Sequence, residues 1–299
     1  MNIGVLCNFA GMSATADVQF FEFDGNRLAF RKLGDGLAPL LAFHGFAQDS
    51  QVFTPLADSL GGVFTIYAVD LFFHGHSHYG HSQLLTKIDW QRLIAAFLEE
   101  QGVGRFSLMG FSLGGRFALS TMEAFADRLD QLFLIAPDGI TPSQWYKAGT
   151  RSGLGRWLFR YVLRHLSILT HAGHLLTQLG LLNRTAMRFA EISLGTPEQR
   201  ALVYDTWTRF RLIQPNLDAV GTLLNAGPVQ TRFFTGAFDR LVPGDFILPL
   251  TKRLRNYELT ILQTGHTHLI GLVAGQLAQR SLQDLPEPDN GHDNEADDY

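Results

Sequence analysis

Residues 109–115, Met-Gly-Phe-Ser-Leu-Gly-Gly, set Ser112 midway between Gly110 and Gly114. A serine hydroxyl acts as a nucleophile when a neighbouring base takes its proton and a pair of donors receives the negative charge that develops. The surroundings fit that need. An apolar run over 105–112 reads as a strand, and 113–125 has helix-forming content. Ser112 therefore falls on a sharp strand-to-helix turn, with glycines where neighbouring chain must come close. The N-terminus of the following helix adds favourable dipole charge at the same point. Two histidines, His266 and His268, follow the strand-like segment 257–262 and compete for the role of base. Asp239 follows the strand-like segment 230–236, and Asp138 follows 131–137; either carboxylate could orient that base. The segment Leu-Leu-Ala-Phe-His-Gly-Phe (40–46) ends a strand in a turn. That turn can aim the N–H of Phe46 at the same point as the N–H of Leu113.

A second concentration of chemistry lies at residues 70–82. It holds His74, His76, His78 and His81 within eight positions. Histidine is the commonest metal ligand, so two readings stand: a metal site, or a loop whose histidines hold it together. No Cys or Glu stands in the cluster to complete a zinc site or support one. The loop reading is the expectation, and no metal or other cofactor is expected.

These residues need a frame. Residues 18–33 read as two strands joined at Asp24-Gly25-Asn26, and 39–45 as a buried strand. A helical segment follows at 50–60, then a strand at 63–70 and an amphipathic helix at 86–102. After the Ser112 turn come strands at 131–137, 230–236 and 257–262, with helices at 244–254 and 266–282. Short apolar strands alternating with helices predict an α/β protein with a mainly parallel sheet and helices on both faces. Ligands in such sheets bind at the carboxyl ends of the strands. Between Thr141 and Gly227 the alternation stops, and the pattern is helical throughout.

The chain has 299 residues, 46% of them hydrophobic, enough for one large domain with an insertion. Its one cysteine, Cys7, excludes a disulfide framework and is compatible with a reducing, cytoplasmic setting. The first residues, 1–17, read as an arm, with Met12 a rival start. They make a poor leader, since no Lys or Arg occurs before Arg27. No apolar stretch is long and clean enough to span a membrane. The end, 285–299, reads as an acidic, solvated tail. Without it the chain is near neutral, which gives no support for nucleic-acid binding. Oligomeric state is left open.

Taken together, the chain resembles the α/β-hydrolase fold superfamily over roughly residues 18–284. The resemblance rests on His44-Gly45-Phe46, Asp70-Leu71 with His74-Gly75-His76-Ser77, Gly110 to Gly115, Gly236 with Asp239 and Val242-Pro243, and Gly265-His266. It implies Ser112 as nucleophile, His266 as base and Asp239 as its orienting acid, with the N–H groups of Phe46 and Leu113 as the oxyanion hole. It implies a core of 18–140 and 228–284, with 141–227 inserted as a helical cap. It makes His74 a structural loop histidine, though Phe72-Phe73 depart from the usual Pro-Gly. The implied activity is hydrolysis of an ester, thioester or similar bond of a small molecule through an acyl-enzyme. Carbon–carbon bond hydrolases and menaquinone-pathway lyases share the triad, and the latter also carry Gly-Gly-Arg after the serine, as at Gly114-Gly115-Arg116. A slow-turnover receptor of the same fold is the third reading.

The insertion carries ten Lys or Arg against four acids, a hint of anionic substrates. Within it, Arg156, Arg160 and Arg164 recur every four residues opposite Trp157, Leu158 and Tyr161, as a solvated helix face would. His165, His171 and His174 read as packing or surface residues. Arg116 has two readings, a helix-surface arginine or a carboxylate contact beneath the cap.

Overall fold

The computed structural model describes residues 16–141, 144–165 and 194–283. Its eight strands are β1 (Val18–Phe23), β2 (Asn26–Leu33), β3 (Ala38–Phe43), β4 (Phe64–Val69), β5 (Phe106–Phe111), β6 (Leu129–Ile135), β7 (Gln230–Gly236) and β8 (Glu258–Leu262). They form one sheet in the order β1-β2-β4-β3-β5-β6-β7-β8. β1 pairs antiparallel with β2, and β2 with β4; every other pair is parallel. The β1–β2 turn has φ of 50° at Asp24 and 72° at Gly25, the left-handed pair that a tight two-residue hairpin requires.

The helices are α1 (Thr54–Leu60), α2 (Lys87–Glu100), α3 (Leu113–Phe125), α4 (Gln144–Arg151), α5 (Gly153–Arg164), α6 (Pro197–Arg209), α7 (Leu217–Ala226), α8 (Leu248–Thr251) and α9 (Leu269–Gln283). Side chains alternate across a strand, and each inner strand here supplies both faces. Leu41 and Phe43 of β3 join one core cluster, with Trp90 and Phe97 of α2 and Phe117 of α3. Leu40 and Ala42 join the other, with Leu56 and Leu60 of α1 and Leu269 and Val273 of α9. The sheet is thus covered on both sides, as near-continuous apolar strands demand.

β6 begins and ends two residues earlier than its apolar run. Pro137 cannot donate to the ladder, and Ala136 turns out of it with φ of 40°. Of the helical stretch after Thr141, α7 packs against α3, and its Val220 and Leu224 are buried in the core cluster. α4, α5 and α6 pack on one another.

Candidate active site

Among the described residues, five non-glycine residues have positive φ, and four of them stand just past the carboxyl ends of β3 to β6: Ala47, Phe73, Ser112 and Ala136. Strained backbone of this kind concentrates where a site is being shaped. Ser112 has φ of 50° and ψ of −116°. The turn is held by its own backbone. Ser112 N donates to the Ile135 carbonyl at 2.9 Å, and the Ser112 carbonyl accepts from Gly115 N at 2.9 Å and Asp138 N at 2.8 Å. The glycines have a steric reason. A Cβ on Gly114 would lie 1.9 Å from the Phe43 carbonyl oxygen, and one on Gly110 would lie 2.6 Å from the Gly114 carbonyl oxygen.

Asp239 and His266 meet because the loops after β7 and β8 are zipped together. Ala237 N donates to the Leu262 carbonyl at 2.8 Å and Phe238 N to the Thr264 carbonyl at 3.0 Å. The Asp239 carboxylate is fully buried, and both of its oxygens are used. Oδ1 accepts from Leu241 N and Val242 N, each at 2.9 Å. Oδ2 lies 2.6 Å from His266 Nδ1. A carboxylate only accepts, so Nδ1 carries a proton, and in the neutral ring the acceptor is Nε2. The His266 ring lies against the ring of Phe111, centroids 5.0 Å apart, and Phe111 directly precedes Ser112. His268 is exposed. Asp138 does not approach this histidine; its carboxylate is engaged with Arg116.

The turn after β3 leans on the same elbow. A Cβ on Gly45 would lie 3.1 Å from the Phe111 ring. His44 is wholly buried. Its Nε2 accepts from Leu71 N at 2.9 Å, so its Nδ1 carries the proton and donates to the Gly45 carbonyl at 2.7 Å. Burial lowers its pKa to about 4, against the Gly45 hydrogen bond and nearby Asp70, which raise it. The ring is therefore neutral near pH 7 and keeps this tautomer. Gripping the Gly45 oxygen fixes the Gly45–Phe46 peptide plane, whose N–H points the opposite way across a trans bond. This anchoring was not legible in the sequence, where His44 stood only as the start of His-Gly-Phe.

The histidine-rich loop is built around Asp70. Oδ1 of Asp70 accepts from Ser50 N at 2.7 Å, and Oδ2 from His76 N at 2.9 Å. Ser77 Oγ donates to the Asp70 carbonyl at 2.6 Å and accepts from Ala29 N at 2.8 Å. Burial works against the charge on Asp70. The N–H of His76 and the groups of Ser50 outweigh it and hold the carboxyl below its usual pKa. His74 is buried and donates Nδ1–H to the Phe72 carbonyl at 3.0 Å. Burial, then the neighbouring His44, lowers its pKa to about 3. His81 Nε2 lies 2.6 Å from the Asp24 carbonyl, and the backbone of His78 pairs with that of Arg27. Among the described residues, no group of three His, Cys, Asp or Glu is arranged to hold a metal ion.

Of the two readings of Arg116, the surface one needs correction. Arg116 is not a helix-surface arginine: it is buried, with its guanidinium 2.6 Å from Asp138 Oδ2 and 2.7 Å from Tyr146 Oη. The carboxylate it contacts belongs to its own chain. Gly139, at φ of 96°, lies against the stem of Arg116, so α3 is covered here by the chain leaving β6. On α5 the arginines make contacts within the helical layer. Arg156 donates to the Thr150 carbonyl at 3.0 Å, and Arg160 stacks over the Tyr204 ring with its centre 4.7 Å from the centroid. The opposite row, Leu154, Trp157, Leu158 and Tyr161, is exposed. Arg160 and Arg164 nonetheless stay exposed, so both rows meet solvent, and the buried residue of α5 is Leu163. His165 is exposed beside Tyr161, while His171 and His174 lie outside the described residues.

A model of the alpha/beta hydrolase fold matches residues 38–270, and the chain belongs to that family. It is 28% identical over 246 residues to the pimeloyl-[acyl-carrier protein] methyl ester esterase of Stenotrophomonas maltophilia, covering 78% of this chain and 87% of that protein. It is 29% identical over 126 residues to the dihydrolipoyllysine-residue acetyltransferase component of the acetoin cleaving system of Cupriavidus necator. That match covers 42% of this chain and spans only 33% of the relative's length. A thermophilic esterase from Thermogutta terrifontis shares the fold, with a TM-score of 0.62 and 20% identity over 90% of this chain and 97% of that one. Among the described residues, no helix is long and apolar enough to cross a membrane.

Proposed function

We propose that the chain is a serine hydrolase of small carboxylic esters or thioesters, working through an acyl-enzyme. The observation that carries this is the 2.6 Å contact between His266 Nδ1 and the buried Asp239, with the ring seated against the residue that precedes the strained Ser112. On this reading, Ser112 Oγ attacks the acyl carbon as His266 Nε2 takes its proton. Asp239 holds the imidazole in the accepting tautomer and stabilises the cation that forms. The N–H groups of Phe46 and Leu113 receive the oxyanion. His266 then returns the proton to the leaving oxygen or sulfur as the bond to it breaks. Water repeats the sequence and frees the acid. Helices α4 to α6 are proposed as the cap. Tyr146 of α4 touches Arg116, and Phe210, just after α6, packs against Phe117 and Phe73.

The esterase-named relatives support ester substrates over carbon–carbon bonds. The lyase reading loses its particular support, because Arg116 is already neutralised by Asp138. Steady-state hydrolysis of p-nitrophenyl acetate tests the proposal. The wild-type chain should turn over many times, and Ser112→Ala should fall to the uncatalysed rate. Binding without turnover would make the chain a receptor and overturn the reading.

A further inference from the structure

A cavity of about 400 Å³ opens between α4 and the turn after α6. Among the described residues its walls carry Lys147, Arg151 and Arg211, with Tyr146, Thr150 and Gln214 between them, and no carboxylate. Arg156 stands at its edge, tied to the Thr150 carbonyl that also belongs to the wall. Among the described residues, none of these four cations forms an ion pair, so no carboxylate offsets their charge. Arg211 is only partly exposed, and burial followed by the nearby charge of Arg156 pulls its pKa down. Like charges held together at a concave surface, without a counter-charge, are unfavourable until an anion joins them. Guanidinium groups bind planar or tetrahedral oxyanions by paired hydrogen bonds.

A chain of hydrogen bonds through the buried Tyr146 and Arg116 ties the cavity wall to the elbow. The wall residue Tyr146 bonds Arg116 at 2.7 Å, Arg116 bonds Asp138 at 2.6 Å, and Asp138 N bonds the Ser112 carbonyl at 2.8 Å. We infer that this cavity is an oxyanion subsite, in which Lys147, Arg151 and Arg211 hold a carboxylate or phosphate group of the substrate away from the bond that is cleaved. The subsite takes over the anion-reading role that Arg116, paired with Asp138, cannot fill. As a substrate subsite it rests on the ester-hydrolase reading; as an anion site it does not.

Two measurements separate those layers. The first is calorimetric titration of the full-length Ser112→Ala chain with inorganic phosphate and, separately, with glutarate. Heat from either that disappears in Arg151→Gln and Arg211→Gln backgrounds supports the site, and which anion binds tells phosphate from carboxylate. No heat from either anion, or binding that survives both substitutions, overturns it. The second compares kcat/KM for p-nitrophenyl hemiglutarate with that for the neutral p-nitrophenyl valerate. The hemi-ester should be preferred, and Arg211→Gln should reduce the ratio by about 10- to 150-fold, the worth of one charge-assisted hydrogen bond. Lys147→Gln should reduce it in the same direction, and near-ultraviolet circular dichroism checks that each variant is folded. A ratio that does not move in either folded variant overturns the substrate role. If neither ester is hydrolysed but phosphate or glutarate binds, the enzymatic reading fails and the anion site stands.

Discussion

Replacing Asp239 by asparagine is the most informative single change. The wild-type carboxylate accepts three hydrogen bonds, from Leu241 N, Val242 N and His266 Nδ1. In Asp239→Asn the amide oxygen keeps the two backbone donors, because those fix the turn. The NH₂ group then faces His266 Nδ1, and two donors cannot share a hydrogen bond. The imidazole relieves the conflict by moving its proton to Nε2, the atom that accepts from Ser112 in the proposed mechanism. The base is lost while the geometry is kept. In serine triads a tautomer inversion of this kind lowers kcat by about 10⁴-fold, and a loss of that order is expected here. The assay is p-nitrophenyl acetate hydrolysis across pH, with thermal melting as a check on folding. Asp138→Asn is the control. It breaks the pair with the buried Arg116 and should cost about 1–3 kcal/mol of stability, discounted because Asp138 is partly exposed. It should spare most of the activity of the folded protein. If Asp239→Asn keeps more than about a tenth of wild-type kcat, where a loss near 10⁴ is expected, the tautomer argument is refuted.

Ser112→Gly should be more stable than Ser112→Ala by about 1 kcal/mol. Glycine adopts φ of 50° and ψ of −116° without the strain of a Cβ, and this outweighs its greater chain entropy. Equal melting temperatures for the two would show that the elbow stores no strain. Stability should also fall as pH drops from about 6.5 toward 4. His44 and His74 have folded pKa values lowered from 6.5 to about 4 and about 3, so in this window the unfolded chain binds protons that the folded chain refuses. Each such group contributes a slope of at most about 1.4 kcal/mol per pH unit, lost in the acid direction. Asp70, also lowered, acts in the same sense below its usual pKa. His74→Asn should therefore flatten the acid limb of a melting-temperature profile; an unchanged slope would mean that His74 titrates alike in both states.

Much of the frame was legible because strand and helix alternate with short links, and each candidate site residue follows an apolar run. The positions of Ser112, Asp239 and His266 after β5, β7 and β8 follow from chain order alone. What the sequence hid depends on contacts between distant segments. Arg116 stayed open between two readings, since nothing near it in the chain announces Tyr146 thirty residues away. The contacts of the α5 arginines were hidden for the same reason: Arg160, though exposed, reaches Tyr204 of α6, and Arg156 reaches the end of α4. α7 could have been assigned to the core from Leu217, Val220 and Leu224, which recur on one helical face; the surrounding helical pattern concealed that. The tautomer of His44 needs the Leu71 N–H, supplied by a loop after another strand.

The proposed chemistry depends above all on Ser112 being the activated nucleophile. The direct measurement is reaction of the full-length chain with a fluorophosphonate, followed by mass-spectrometric mapping of the modified peptide. One adduct per chain is expected, on Ser112, absent in Ser112→Ala and greatly slowed in His266→Ala but not in His268→Ala. An adduct on another residue, or labelling that persists in Ser112→Ala, would contradict that assignment.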